Sequence, residues 1–223
     1  MSRPRDERGL LWRFAALLVG IVFRSFFRLR YAGISRVPAS GRGIMAANHV
    51  SALDGAVLGL AASERRKRVT RFLVAAEFLK GRWFSWALRR FEQIPVRRGT
   101  RDTTALETAI TTVRAGALAG IFPEGKVNVG TELLPGKSGV ARIALATQAP
   151  VIPVGIWGTQ DRWPHAGLHW RRPWRPGLAV TFGEPIEPKG EHDSADDVQR
   201  FLDQVMSGIA EQVEVARALA GSR

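Results

Sequence analysis

From residue 30 onward the chain alternates short apolar runs with amphipathic stretches, and this order constrains its fold more than any other feature. Apolar runs near 43–47, 70–75, 93–96, 117–122, 151–157 and 178–182 have the length of buried strands. Between them, 51–62, 82–91, 103–115 and 138–147 read as helices. The stretch 194–218 carries Val198, Phe201, Leu202, Val205 and Ile209 at helical intervals, which predicts a closing amphipathic helix. Strands and helices in this alternation build an α/β layer fold, here a single domain with a mixed central sheet flanked by helices. A chain of 223 residues suits one such core, and no internal repeat or low-complexity linker interrupts it.

The N-terminal segment 10–27 has a different composition. Its uninterrupted apolar run, Phe14 to Phe23, is too short for a spanning helix, which needs about 20 apolar residues. Arg3, Arg5 and Arg8 resemble the basic start of a cleaved signal, but Arg24, Phe26, Phe27, Arg28 and Arg30 stand where a small-residue cleavage site would follow. Basic flanks around Trp12, Phe14, Phe23, Phe26 and Phe27 compose a helix that lies in the headgroup plane of a membrane. The same pattern also fits a helix packed on the domain's own core. The expected organisation is therefore a basic amphipathic anchoring helix over 1–30 and a globular domain over 31–223.

A formal net charge of +13 calls for a polyanionic partner, either nucleic acid or an anionic leaflet. Zinc-finger spacing, an aromatic ribonucleoprotein motif and a basic zipper are all missing, so a lipid surface is expected and nucleic acid is not. The absence of Cys excludes disulfides, thiolate metal sites and a cysteine nucleophile.

The sharpest motif is Asn48-His49-Val50-Ser51-Ala52-Leu53-Asp54, a His and an Asp at a strand-to-helix turn. An imidazole takes a proton from a hydroxyl efficiently when a carboxylate fixes its tautomer, so His49 reads as a general base and Asp54 as its orienting partner. With no covalent nucleophile evident beside them, the base would act directly on a substrate hydroxyl. The bare pattern also fits a structural histidine near a helix N-terminus, with Asp54 on a solvated face. No metal is expected, because His165, His169 and His192 are distant in sequence and no carboxylate cluster has ligand spacing.

Two more strand ends carry charge. Ile94-Pro95-Val96-Arg97-Arg98-Gly99 offers a guanidinium pair suited to clamping a phosphate, or simply solvated. Ile121-Phe122-Pro123-Glu124-Gly125-Lys126 ends a buried strand in a turn whose carboxylate can hold a hydroxyl or an Arg. Pro135-Gly136-Lys137-Ser138-Gly139 precedes a helix and offers an anion Lys137 and free N–H groups, without the spacing of a nucleotide P-loop. His49, Arg98 and Glu124 each follow a strand, and ligands in open α/β sheets gather beyond the carboxyl ends of strands.

Taken together with Val151-Ile152-Pro153-Val154, these segments resemble the four ordered blocks of the glycerolipid acyltransferases typified by 1-acylglycerol-3-phosphate acyltransferase. The resemblance runs from about Gly33 to Pro185. It implies that His49 deprotonates an acceptor hydroxyl, which attacks the thioester of acyl-CoA or acyl carrier protein, with Asp54 as the orienting partner. It implies acceptor binding by Arg98, Glu124 and Gly125; Asn48, Ser51, Arg97, Lys126 and Lys137 complete the expected substrate-binding set. The domain over 31–223 is then the acyltransferase domain. Lysophosphatidic acid is the expected acceptor, phosphatidic acid the product, and no cofactor beyond the acyl donor is implied. Membrane association at the cytoplasmic face of a bacterial inner membrane is expected too.

Two departures bear on the acceptor. Many family members have Asp before the second-block Arg, where this chain has Arg97, and many continue the third block as Thr-Arg-Ser, where it has Lys126-Val127-Asn128. Lys126, Arg97 or Lys137 would have to replace the missing Arg. Other acceptors, a different lysolipid or glycerol 3-phosphate, therefore stay open. So do a lipid or thioester hydrolase, although no Gly-x-Ser-x-Gly elbow is present, and a non-catalytic membrane-binding module.

Overall fold

The computed structural model describes residues 6–75, 86, 90–96, 103–130, 132–163 and 175–222. In chain order these form α1 (Leu10–Phe26), β1 (Arg28–Ala32), β2 (Gly43–Ala47), α2 (Asp54–Arg66), β3 (Thr70–Ala75), β4 (Ile94–Val96) and α3 (Thr103–Arg114). They continue with β5 (Leu118–Ile121), α4 (Gly139–Thr147), β6 (Val151–Trp157), β7 (Gly177–Phe182) and α5 (Ala195–Gly221). Short 3-10 turns cover Ile34–Arg36 and Thr159–Asp161.

The strands form one mixed sheet in the order β1-β7-β6-β2-β5-β3-β4. Only the β6–β7 pair among them is antiparallel, so β1 and β7 run against the other five. The fold is thus the expected α/β domain with a mixed central sheet.

Period-two alternation divides the sheet's side chains between two layers. Ile44, Ala46, Ile121 and Val151 join a core with Ile143, Phe201, Leu202 and Val205 of α4 and α5. Met45, Ala47, Ile152 and Val154 face the opposite way, into a core with Val57, Leu58 and Ala61 of α2. Every residue of β2 is buried, as a central parallel strand covered on both faces requires.

Strand β1 lies outside the expected pattern and runs across the boundary expected at residues 30 and 31. Arg28-Leu29-Arg30-Tyr31-Ala32 carries no apolar run because it is an edge strand, paired among the described residues only with β7, from Arg28 with Gly177 to Ala32 with Thr181. Helix α2 begins at Asp54, three residues later than expected, because 51–53 make the turn that serves the Asp54 carboxylate. The expected helix over 82–91 lies largely outside the described residues.

Helix α1 divides its apolar residues between two surroundings. Ala16, Gly20 and Phe23, with Phe27 just beyond, are buried in the layer built around α2. Burial of the two Phe side chains contributes about 1.5–3 kcal/mol each, so α1 is held on the domain without a membrane. A bidentate pair, Arg24 with Glu64 at 2.7 and 2.8 Å, and the buried Arg68, 2.9 Å from Glu7, fasten its two ends. The other face leaves Leu10, Phe14, Leu17, Leu18, Ile21 and Val22 about half exposed or more. Among the described residues, no helix is long and apolar enough to cross a membrane.

Candidate active site

His49 leaves the C-terminal end of β2 and Asp54 opens α2, so the strand-to-helix turn brings them face to face. His49 Nδ1 lies 3.0 Å from Asp54 Oδ2. The same oxygen accepts the main-chain N–H groups of Val50 at 2.7 Å and Ser51 at 2.8 Å, while Oδ1 accepts the Thr159 hydroxyl at 2.6 Å. Asp54 is fully buried, which overturns the alternative that it sits on a solvated face. A buried carboxylate surrounded by donors is what burial of that group demands. Its place in the first turn of α2 adds the favourable end of the helix dipole.

The imidazole is fixed from two more directions. Its ring stacks on Phe122 with centroids 4.2 Å apart and planes 17° from parallel, and Phe122 lies over Phe72 in turn. The His49 main chain donates to Glu124 Oε1 at 2.8 Å and accepts from Asn128 N at 2.6 Å. The side chain keeps 18% of its surface exposed, and Nε2 has no hydrogen-bond partner among the described residues. The ring is thus rigid on one side and open on the other.

Several expected substrate-binding residues are occupied in holding this arrangement. Asn48 is buried and uses its amide as a piece of backbone, donating to Ile156 O at 3.0 Å and accepting from Ile156 N at 2.7 Å. Ser51 is buried; its hydroxyl donates to the Trp163 carbonyl at 2.6 Å and accepts from Leu53 N at 3.1 Å. Glu124 is buried and spans two loops, with Oε1 on His49 N and Oε2 on Leu134 N at 3.0 Å. Both of its carboxylate oxygens thus accept main-chain donors.

Gly125 and Lys137 come together. Gly125 has φ +69, the left-handed region that favours glycine, and Lys137 lies across the Pro-Glu-Gly turn with Nζ 2.6 Å and Cε 2.8 Å from where a Cβ would stand. The Lys137 N–H donates to Pro123 O at 2.8 Å, which fixes the approach. Both Lys137 and Lys126 are exposed, and no carboxylate among the described residues pairs with either. Arg97 and Arg98 lie outside the described residues, as do His165 and His169.

Residues 28–157 match the acyltransferase family, a stretch that contains His49, Asp54 and all four sequence blocks. The chain belongs to the acyltransferase family.

The chain is 22% identical over 176 residues to the 1-acyl-sn-glycerol-3-phosphate acyltransferase of Bacillus subtilis, covering 79% of this chain and 82% of that protein. An uncharacterized protein of Mycobacterium leprae is 29% identical over 153 residues, 64% of this chain but 40% of the relative, so the chain spans about two-fifths of that protein's length. The crystal structure of the 1-acyl-sn-glycerophosphate (LPA) acyltransferase PlsC from Thermotoga maritima superposes with a TM-score of 0.70 at 26% identity, covering 90% of this chain and 79% of that one.

Two contributors to the site were not legible in the sequence. Phe122 belongs to the third block but gives no hint that its ring would carry the imidazole. Thr159 lies just past the family-matched stretch and reaches Asp54 across 105 residues of chain, a contact that no local pattern encodes. Elsewhere, Glu191, His192 and Asp193 bring donor atoms within 4.8 Å of one another on an exposed turn, a surface grouping common without an ion.

Proposed function

We propose that this protein transfers a fatty acyl chain from acyl-CoA or acyl carrier protein to the free hydroxyl of 1-acylglycerol-3-phosphate, yielding phosphatidic acid at a membrane surface. The observation that carries this reading is the 3.0 Å contact between His49 Nδ1 and an Asp54 carboxylate already receiving three other donors. A carboxylate so placed accepts and does not donate, so Nδ1 carries the hydrogen and Nε2 presents its lone pair on the open side.

A general base in that state acts on a hydroxyl directly. The acceptor O–H gives its proton to Nε2 as its oxygen bonds to the thioester carbonyl carbon. The tetrahedral intermediate then collapses by breaking the C–S bond, and the departing thiolate takes the proton back from Nε2. An ester and a free thiol leave, and the histidine is reset. Asp54 meets the transient imidazolium charge, while Phe122 holds the ring plane. Asn48, Ser51 and Glu124 support this step by bracing the loops.

The acceptor phosphate is assigned to Lys137 and Lys126 beside the turn at Gly125, with Arg97 and Arg98 of the second block as further contacts. A lysine meets phosphate as a point charge and does not provide the planar fork of arginine. The half-exposed apolar face of α1 supports in-plane association with a lipid surface, where the acceptor resides. The names of the Bacillus and Thermotoga relatives favour lysophosphatidic acid over other acceptors.

The test is a purified-protein assay with detergent-dispersed lysophosphatidic acid and a labelled acyl thioester, following phosphatidic acid and free fatty acid together. Phosphatidic acid as the main product is expected. Free fatty acid alone would replace the transferase with a hydrolase, and preferential acylation of another lysolipid or of glycerol 3-phosphate would change the acceptor.

A further inference from the structure

The four hydrogen bonds on Asp54 divide unevenly between its two oxygens. Three reach Oδ2, all from the His49–Ser51 segment that immediately precedes α2. Among the described residues, Oδ1 has a single donor, the Thr159 hydroxyl at 2.6 Å, and both residues are fully buried. A carboxylate can turn about its Cβ–Cγ bond, and donors crowded on one oxygen leave that rotation weakly fixed. A short bond on the other oxygen fixes it, and the Oδ2 edge is then held toward the imidazole.

Thr159 is itself held tightly in place. It follows β6 through Gly158, whose φ is +108 and whose built Cβ would meet Gly177 O at 2.1 Å, so no larger residue admits this turn. Gly158 N–H is bonded to Gln160 Oε1 at 2.9 Å, and the Thr159 carbonyl accepts from Arg162 N at 3.2 Å and Trp163 N at 3.1 Å. The same turn supplies the Trp163 carbonyl to Ser51, and β6 supplies Ile156 to Asn48. The end of β6 and the turn after it thus grip the segment Asn48–Asp54 at three points, of which Thr159 is the one that touches the carboxylate.

The geometry points to Thr159 as a positioning residue of the site, acting on His49 through Asp54 and outside the family-matched stretch. Its hydroxyl gives a hydrogen to Oδ1 and takes no part in the proton transfer. This assignment rests on the acyl-transfer reading for its kinetic consequence, but its structural consequence, one fixed His49 tautomer, needs no turnover.

The test compares Thr159→Val, which keeps the shape and removes the hydroxyl, with Thr159→Ser, which keeps the hydroxyl. The Val variant is expected to lower kcat about 10–100-fold with both KM values nearly unchanged, and Ser to restore most of that loss. In an Asp54→Asn background the Val substitution should add little, since the oxygen it orients has lost its charge. Nitrogen-15 NMR of the imidazole should report a single Nδ1–H tautomer in the wild type and a mixture in the Val variant. Equal rates for Val and wild type, an additive loss on top of Asp54→Asn, or an unchanged tautomer would each overturn the assignment. If His49→Ala instead retained full activity, the acyl-transfer mechanism would fall, and the NMR comparison would still decide the part played by Thr159.

Discussion

Asp54 Oδ2 stands 3.0 Å from His49 Nδ1 while accepting the N–H groups of Val50 and Ser51 from the same turn. The loop that presents the base therefore also builds the group that orients it. Replacing Asp54 by Asn keeps the size but puts an N–H2 donor where three donors converge. We expect a loss of about 10²–10⁴ in kcat with binding of lipid vesicles retained; a loss below tenfold would show that the carboxylate does not set the imidazole's state.

Lys137 lies across Gly125 with its ammonium free of carboxylates among the described residues. Lys137→Ala should raise the KM for lysophosphatidic acid about 5–50-fold and leave the KM for the acyl thioester nearly unchanged. Monoacylglycerol, which has no phosphate, should be used no worse by the variant than by the wild type. A rise confined to the acyl donor would move the anion contact to the other substrate.

The exposed stripe of α1 gives a separate prediction. Leu17 and Ile21 are both more than half exposed on the face opposite Phe23. Leu17→Glu together with Ile21→Glu should leave the thermal midpoint close to wild type and cut co-sedimentation with anionic vesicles by about tenfold or more. Unchanged sedimentation would assign the stripe to another role.

Tyr31 is the chain's single tyrosine, so its phenolate is a clean reporter. Burial, with Glu64 adding to it, pushes its pKa above the ordinary value, while Arg24 and Arg65 pull the other way. A folded pKa raised above the unfolded one means that the stabilisation from the neutral phenol is complete below about pH 10 and is lost as pH rises through the folded value. Absorbance titration near 295 nm should therefore show phenolate appearing well above pH 10 and together with unfolding. A free titration near pH 10 with the fold intact would contradict the burial of this ring.

Much of the fold was legible because its strands advertise themselves. The strands β2, β3 and β6 have the expected bounds, and β2 and β6 stood out because strands covered on both faces must be apolar throughout. β1 was not legible, because Arg28 and Arg30 on an edge strand look like the basic end of the preceding helix. The first block gave the two residues that meet, but the burial of Asp54 was hidden, since its donors are main-chain groups that carry no side-chain signature. For Asn48, Ser51 and Glu124 the residue types were informative and the partners were not: each binds backbone, and backbone contacts leave no trace in a sequence. Thr159 was out of reach for a different reason, its separation of 105 positions from Asp54.

The measurement that bears most directly on the account is the rate of phosphatidic acid formation by His49→Ala beside the wild type, at equal vesicle binding and equal thermal midpoint. The account predicts a loss of about 10²–10⁴ with lipid binding preserved. Phosphatidic acid formed by the variant at the wild-type rate would contradict it, because no other group in the described site stands ready to take the acceptor's proton.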